Sequence, residues 1–211
     1  MLCMTKLAEA DMSDLERALA EIGAIRSQIA RGAQFHGLGP TTFAATALLA
    51  FLAAAGQARW IAPADVGAFL ALWIAVAAVS AGVIAFEMVA RSRRLHSQLA
   101  DEMIAGAVTQ FLPAAAVGAL LTLVMLRFSA QGLWMLPGLW QIVFGLGVFA
   151  SCRFLPRAMA LVGGWYVATG VVCIALAQGP GAFSPWAMGV PFGVGQLIVA
   201  AVLRFGGTSD E

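Results

Sequence analysis

Charge is what this sequence has least of. Among its 211 residues, 12 are Lys or Arg and 11 are Asp or Glu, together 11% of the chain, where about 25% is usual for a soluble domain. So few charged side chains cannot cover a soluble globule of this size, which excludes a soluble enzyme or a disordered protein. The formal net charge of +1 also excludes the basic surface of a nucleic-acid binder. Cysteine is scarce too. Cys3, Cys152 and Cys173 are odd in number and widely spaced, with no CxxC pair, so no disulfide framework is expected. They read as small buried hydrophobes plus one loose terminal thiol. The signatures GxSxG, HExxH and Walker A are missing, as are paired intramembrane aspartates. No catalytic residue, metal site or cofactor is therefore expected, and the protein reads as a non-enzyme. What the sequence does have is hydrocarbon. Apolar residues make up 61% of it, against roughly 45–50% in an ordinary soluble domain, and the mean hydropathy is +0.88.

A transmembrane helix needs about 20 mostly apolar residues. Six stretches qualify: Thr41–Gln57, Gly67–Ala90, Gln110–Leu126, Pro137–Cys152, Pro156–Ala177 and Ala187–Leu203. Each even span follows its predecessor after a short loop. The expected fold is thus all-α: a polytopic membrane bundle of six transmembrane helices arranged as three hairpins, preceded by a cytoplasmic amphipathic helix. The expected domains are an N-terminal segment over 1–35, the membrane domain over 36–205 and a short tail over 206–211.

Orientation follows from the positive-inside rule. Lys6, Arg17, Arg26, Arg31, Arg91, Arg93, Arg94, Arg153, Arg157 and Arg204 fall on one side, and only Arg59 and Arg127 on the other. Ten against two places both termini in the cytoplasm. The opposite side carries Trp60, Trp134 and Trp186, as an interfacial aromatic belt would. A proline follows each of them, Pro63, Pro137 and Pro191, at the expected opening of the return helix. Small residues should supply the packing, since lipid tails give helices no hydrophobic reason to associate. Gly189 and Gly193 form a GxxxG step, and Gly145, Gly147, Gly163, Gly164 and Gly170 offer further close approaches.

Ahead of the spans, residues 13–31 read as an amphipathic helix. Ser13 and Glu16 fit a capping box, and Asp14 and Glu16 suit the positive end of the helix dipole. Leu15, Ala18, Ile22, Ile25 and Ile29 recur at steps of three and four, with Asp14, Arg17, Glu21, Gln28 and Arg31 opposite. Such a helix packs on its own transmembrane bundle or lies in the headgroup layer, or else docks a protein. A lipid-surface helix would be richer in Lys and Arg, and the balance of acids and bases here tilts toward protein contact through Leu15, Ile22, Ile25 and Ile29 with Arg17 and Glu21 alongside. Self-association into a homo-oligomer is one form of that contact. The helix should end before Gly37, Gly39 and Pro40, the proline fitting the first turn of the next helix. The first residues lack a basic region followed by an apolar one, so no signal peptide is expected.

Inside the spans, Glu87 is the only acid. Intramembrane carboxylates are functional candidates, but Glu87 lies one turn before Arg91, in the favoured order for an ion pair. Gln110, Gln141 and Gln196 either bond between helices or, with Glu87, line a polar path, which would make the chain a small transporter or channel. His36 and His96 flank the first two spans and would meet at one mouth of a hairpin, the arrangement a haem or metal ligand pair needs. Ser80, Thr122 and Thr169 suit bonds to their own preceding carbonyls. The principal expectation is a sensing, scaffolding or regulatory membrane protein acting through residues 13–31, with the lipid bilayer and a protein as its partners.

Several stretches together carry a resemblance: Leu19 to Arg26 leading to Phe35, Gly39 and Pro40; Leu136 to Gly145; Leu155 to Arg157 with Gly163 to Tyr166; and Ser184 to Gly189 with Gly193. In these the chain resembles a widespread group of small bacterial inner-membrane proteins with an amphipathic N-terminus and about six spans. The resemblance implies the bacterial inner (cytoplasmic) membrane and a membrane partner in a regulatory pair. It carries over no catalytic residue.

Overall fold

The structure, a computed structural model, describes residues 39–62, 64–95, 98–152, 155–176 and 181–205, with the backbone alone for 91–95 and 98–104. The chain divides into two units, Met1–Phe35 and His36–Glu211, and every described helix belongs to the second. The helix expected over 13–31, with Leu15, Arg17, Glu21, Ile22, Ile25 and Ile29, lies outside the described residues, as do His36 and His96.

Among the described residues six α-helices follow one another: α1 (Pro40–Trp60), α2 (Val66–Leu95), α3 (Gln98–Phe128), α4 (Leu136–Ser151), α5 (Met159–Leu176) and α6 (Pro185–Phe205), with a 3-10 segment, Ala130–Met135, leading into α4. There is no strand among the described residues. All six are long and apolar enough to cross a membrane, α4 together with its 3-10 lead-in. Their starts follow local chemistry. Gly39 caps α1 and Pro40 occupies its first turn, while Pro137 does the same for α4, where a missing N–H costs nothing.

The helix expected from Arg91 through Asp101 and Glu102 toward Gln110 is present as extensions of the flanking spans, with α2 running to Leu95 and α3 beginning at Gln98. The charges suit this: Arg91, Arg93 and Arg94 stand at the negative C-terminal end of one dipole, and Asp101 and Glu102 near the positive start of the next. Two other boundaries differ from expectation. Helix α5 begins at Met159 rather than Pro156, after a turn closed by Met159 N–H donating to the Pro156 carbonyl at 2.9 Å. Pro185, not Pro191, opens α6; Pro191 lies inside it.

The C-terminal ends of α1 and α3 and the starts of α2, α4 and α6 meet in one apolar cluster. Phe69, Leu70 and Trp73 of α2 pack there with Ala50 and Ala54 of α1, Leu136 and Met188, and Met125 flanks them. A second cluster joins Phe43, Met159, Val162, Tyr166 and Val199. The closest helix pairs are α4 with α5 and α1 with α6; α2 and α3 barely touch each other. The densest packing therefore runs between the expected hairpins rather than within them.

Glycine explains the two close pairs. On α4 and α5 the register is reciprocal and antiparallel: a Cβ at Gly138 would lie 2.6 Å from the Gly170 carbonyl, one at Gly170 2.6 Å from the Gly138 carbonyl, and one at Gly145 2.8 Å from the Gly163 carbonyl. Between α1 and α6, Gly189 faces Ala54 and Gly193 receives the Phe51 ring. Where lipid offers no hydrophobic drive, such close backbone approach supplies the dispersion contacts that hold helices together. The faces turned outward carry large apolar side chains, Phe86, Leu112, Leu120 and Leu123 among them. Trp60 and Trp186 are exposed and Trp134 is half-buried.

Candidate functional site

Polar side chains buried among α4, α5 and α6 are the chemically distinctive part of the described residues, and one proline organises the first of them. Pro191 has no N–H, so within α6 it cannot donate to the carbonyl of Ala187, four residues earlier. Gln141 of α4 takes that place: its Nε2 donates to the Ala187 carbonyl at 2.8 Å and to the Pro137 carbonyl of its own helix at 3.1 Å. A break in one helix is thus repaired by an amide from another. Trp165 of α5 adds a third element to this layer, its Nε1–H donating to the Pro191 carbonyl at 2.9 Å. Gln141 is completely covered, and its Oε1 has no hydrogen-bond partner. Cys173 of α5 lies beside it.

Nine residues farther along α6, roughly 13 Å at 1.5 Å per residue, Gln196 approaches Tyr166 of α5. The Tyr166 ring packs on Phe144 and Phe192, with centroids 4.7 and 5.1 Å away, and Phe111 of α3 closes on Phe144 at 5.2 Å. The hydroxyl tip sits against Gly195, where a Cβ would collide with it. Tyr166 is 0% and Gln196 8% exposed, yet neither the Tyr166 hydroxyl nor Gln196 Oε1 makes a hydrogen bond.

A third buried amide, Gln57 near the end of α1, has both its nitrogen and its oxygen hydrogen-bonded. Its Nε2 donates to the Phe183 carbonyl at 2.9 Å, and its Oε1 accepts the Trp73 Nε1–H at 2.8 Å. Phe69 packs edge-on against Phe183 at 5.1 Å beside it. Sequence reasoning took Gln57 only as the end of a span and passed over Trp73. The available signal was an amide in the last turn of an alanine-rich helix, sixteen residues ahead of a tryptophan. Two more bonds cross between helices. Trp140 Nε1–H donates to Thr122 Oγ1 at 2.9 Å, and Ser151 Oγ donates to the Ala107 carbonyl at 3.2 Å. Thr122 and Thr169 bond their own preceding carbonyls, Gly118 at 2.8 Å and Trp165 at 2.9 Å. We predict that Trp73→Phe, which strands Gln57 Oε1 in an apolar layer, lowers stability in detergent by about 1–2 kcal/mol. The effect should shrink when Gln57→Leu is already present, in a double-mutant cycle of denaturation midpoints.

The remaining candidates are dispersed. Gln110 is exposed on α3, while Glu87 is half-buried toward the end of α2 and is not without a partner. Gln141 and Gln196 are brought to the same three-helix region at different depths; Gln110, on the exposed face of α3, is not brought to it. No group of three or more His, Cys, Asp or Glu that could hold a metal gathers among the described residues. Cys152, just past α4, is a free thiol whose partial burial raises its pKa above the ordinary range.

Among the described residues these observations give an all-helical bundle of six candidate membrane spans tied together by glycine contacts and interhelix hydrogen bonds. Comparison with family models, with curated proteins and with solved structures finds no match.

Proposed function

We propose that this chain is a non-enzymatic integral membrane protein of the bacterial cytoplasmic membrane, both termini cytosolic, whose six-helix domain is an anchor that presents residues 13–31 to a protein partner. The spans run as three successive hairpins with the Trp60, Trp134 and Trp186 turns on the far side. The ten-to-two distribution of Lys and Arg supports that orientation.

The observation that carries the reading is the use made of buried polarity. Gln57, Trp73, Thr122, Trp140, Gln141, Ser151 and Trp165 all direct polar atoms at neighbouring helices. Structural use of this kind is what an anchoring domain needs. The charged, capped stripe over 13–31 is then the element with specificity left to offer, its apolar edge Leu15, Ile22, Ile25 and Ile29 and its charges Arg17 and Glu21 suiting a helix of matched charge.

Deleting residues 1–34 should remove partner proteins recovered with the tagged chain in mild detergent, while the truncated domain keeps the full-length tryptophan emission and elution volume. Recovery that is unchanged in a folded truncation overturns the proposal.

A further inference from the structure

We propose that this chain pairs with a second copy of itself through the outward side of α3, the two Gln110 amides hydrogen-bonding to each other across the contact. Helix α3 is the least covered of the six candidate spans. One side of it is used: Ala107, Phe111 and Thr122 meet Ser151, Phe144 and Trp140 of α4. Roughly 140° round the helix from that side, at 3.6 residues per turn, Gln110, Pro113, Val117, Leu120 and Val124 recur at steps of three and four, and all of them are exposed. That is the spacing of a coiled-coil seam, and a single polar residue on such a seam fixes its register.

An apolar stripe alone suits lipid; the amide does not. Gln110 lies about 8 Å along the helix from the start of the candidate span Ala105–Phe128, and it makes no hydrogen bond among the described residues. Pro113 adds a second unmet group. It has no N–H, so the Thr109 carbonyl lacks its helical donor, and no side chain among the described residues replaces it. On α6 the matching break is filled by Gln141. Hydrocarbon has nothing to offer either group. A second copy supplies both. Every copy takes the same orientation in the membrane, so a two-fold axis along the membrane normal sets Gln110 opposite Gln110 at equal depth. An amide is donor and acceptor together, hence complementary to itself. One Nε2 hydrogen reaches the facing Gln110 Oε1, and the other is left for the facing Thr109 carbonyl.

Full-length protein bearing donor or acceptor dyes on a C-terminal tag, reconstituted in phosphatidylcholine vesicles, should show energy transfer that falls on lipid dilution as a monomer–dimer equilibrium requires. Gln110→Leu removes an amide that holds nothing within one copy, so the fold should persist while association weakens about ten-fold. Crosslinking tests the face. With Cys3, Cys152 and Cys173 replaced by alanine, Val117→Cys should oxidise to a disulfide-linked dimer in the vesicles. Leu112→Cys, also exposed but turned about 120° from the seam, should not. If Gln110→Leu does not fold, the crosslinking contrast decides. A monomer at every dilution, with Gln110 met by headgroups or water, overturns the proposal. So does a dimer indifferent to Gln110→Leu, or one linked through position 112 rather than 117.

Discussion

Gly170→Val should be among the most damaging single substitutions in the protein. The first added carbon would sit 2.6 Å from the Gly138 carbonyl, 2.7 Å from Ile142 Cγ1 and 3.0 Å from the Ile142 backbone nitrogen. Two of those three neighbours are backbone atoms of a packed helix, which cannot rotate aside. Relief requires α4 and α5 to separate, and separation also loosens Gly145 against the Gly163 carbonyl and the Phe149 ring against Gly163, because these contacts lie between the same two helices. Overpacking a core typically costs 1–3 kcal/mol, and the closest helix pair of the bundle belongs at or above the top of that range, about 3 kcal/mol. Gly164→Ala supplies the control. It lies on the same helix, next to Gly163, and a Cβ there meets nothing within 4 Å. It should be neutral or stabilising by up to about 1 kcal/mol through backbone entropy. Thermal unfolding in detergent, followed by loss of the monodisperse peak, separates the two. Equal midpoints for the two variants would mean that glycine contact does not hold α4 to α5.

That contrast also shows where the sequence is legible and where it is not. Gly163 and Gly164 are the same residue in adjacent positions, and hydropathy treats them alike. Only the helix phase set by α4 makes one a contact and leaves the other in open space. The six apolar stretches were readable because lipid imposes a one-dimensional test, enough apolar residues in a row, and one helix falls on each of them, α2 and α3 extending beyond theirs into 91–109. Which helix lies against which has no such signature. A soluble helix advertises its buried face by contrast with a polar one; in Val66–Ala90 or Ala105–Phe128 both faces are apolar, so the sequence does not mark α2 and α3 as the least covered helices. Gly189 and Gly193 were visible as a spaced pair, but their partners Ala54 and Phe51 were not. Gln141 was noticed as a buried amide. Its acceptor was hidden because Pro191 looked like the opening of a helix, and the carbonyl it frees becomes apparent only once Pro185 is seen to begin α6. Tyr166 was noticed only as the end of a resembling stretch and not as a buried polar group, since an aromatic residue in an apolar run carries no pattern; its burial is a fact of packing.

The link between Gln141 and Pro191 makes an unusual prediction: a damaging substitution in α4 should be relieved by removing a proline from α6. Gln141→Leu deletes the donor to the Ala187 carbonyl and leaves that part-buried oxygen with neither a backbone nor a side-chain partner, at a cost of about 1–3 kcal/mol. The Pro137 carbonyl is less affected, because the backbone N–H of residue 141 is its ordinary helical partner. In a Pro191→Ala background the new N–H at 191 closes the missing turn of α6 onto the Ala187 carbonyl, so loss of the glutamine strands nothing there. The same Gln141→Leu change should then cost about 1–2 kcal/mol less, the orphaned-acceptor penalty having been removed. Pro191 is itself buried, so Pro191→Ala alone gives up some packing while gaining a helical bond, and only the coupling between the two sites is diagnostic. A four-protein cycle of unfolding midpoints measures it. Additive losses would show that Gln141 is held in place by its own helix and that the proline break is satisfied some other way. A coupling near the stated size would establish that α4 supplies α6 with the hydrogen bond its sequence removed.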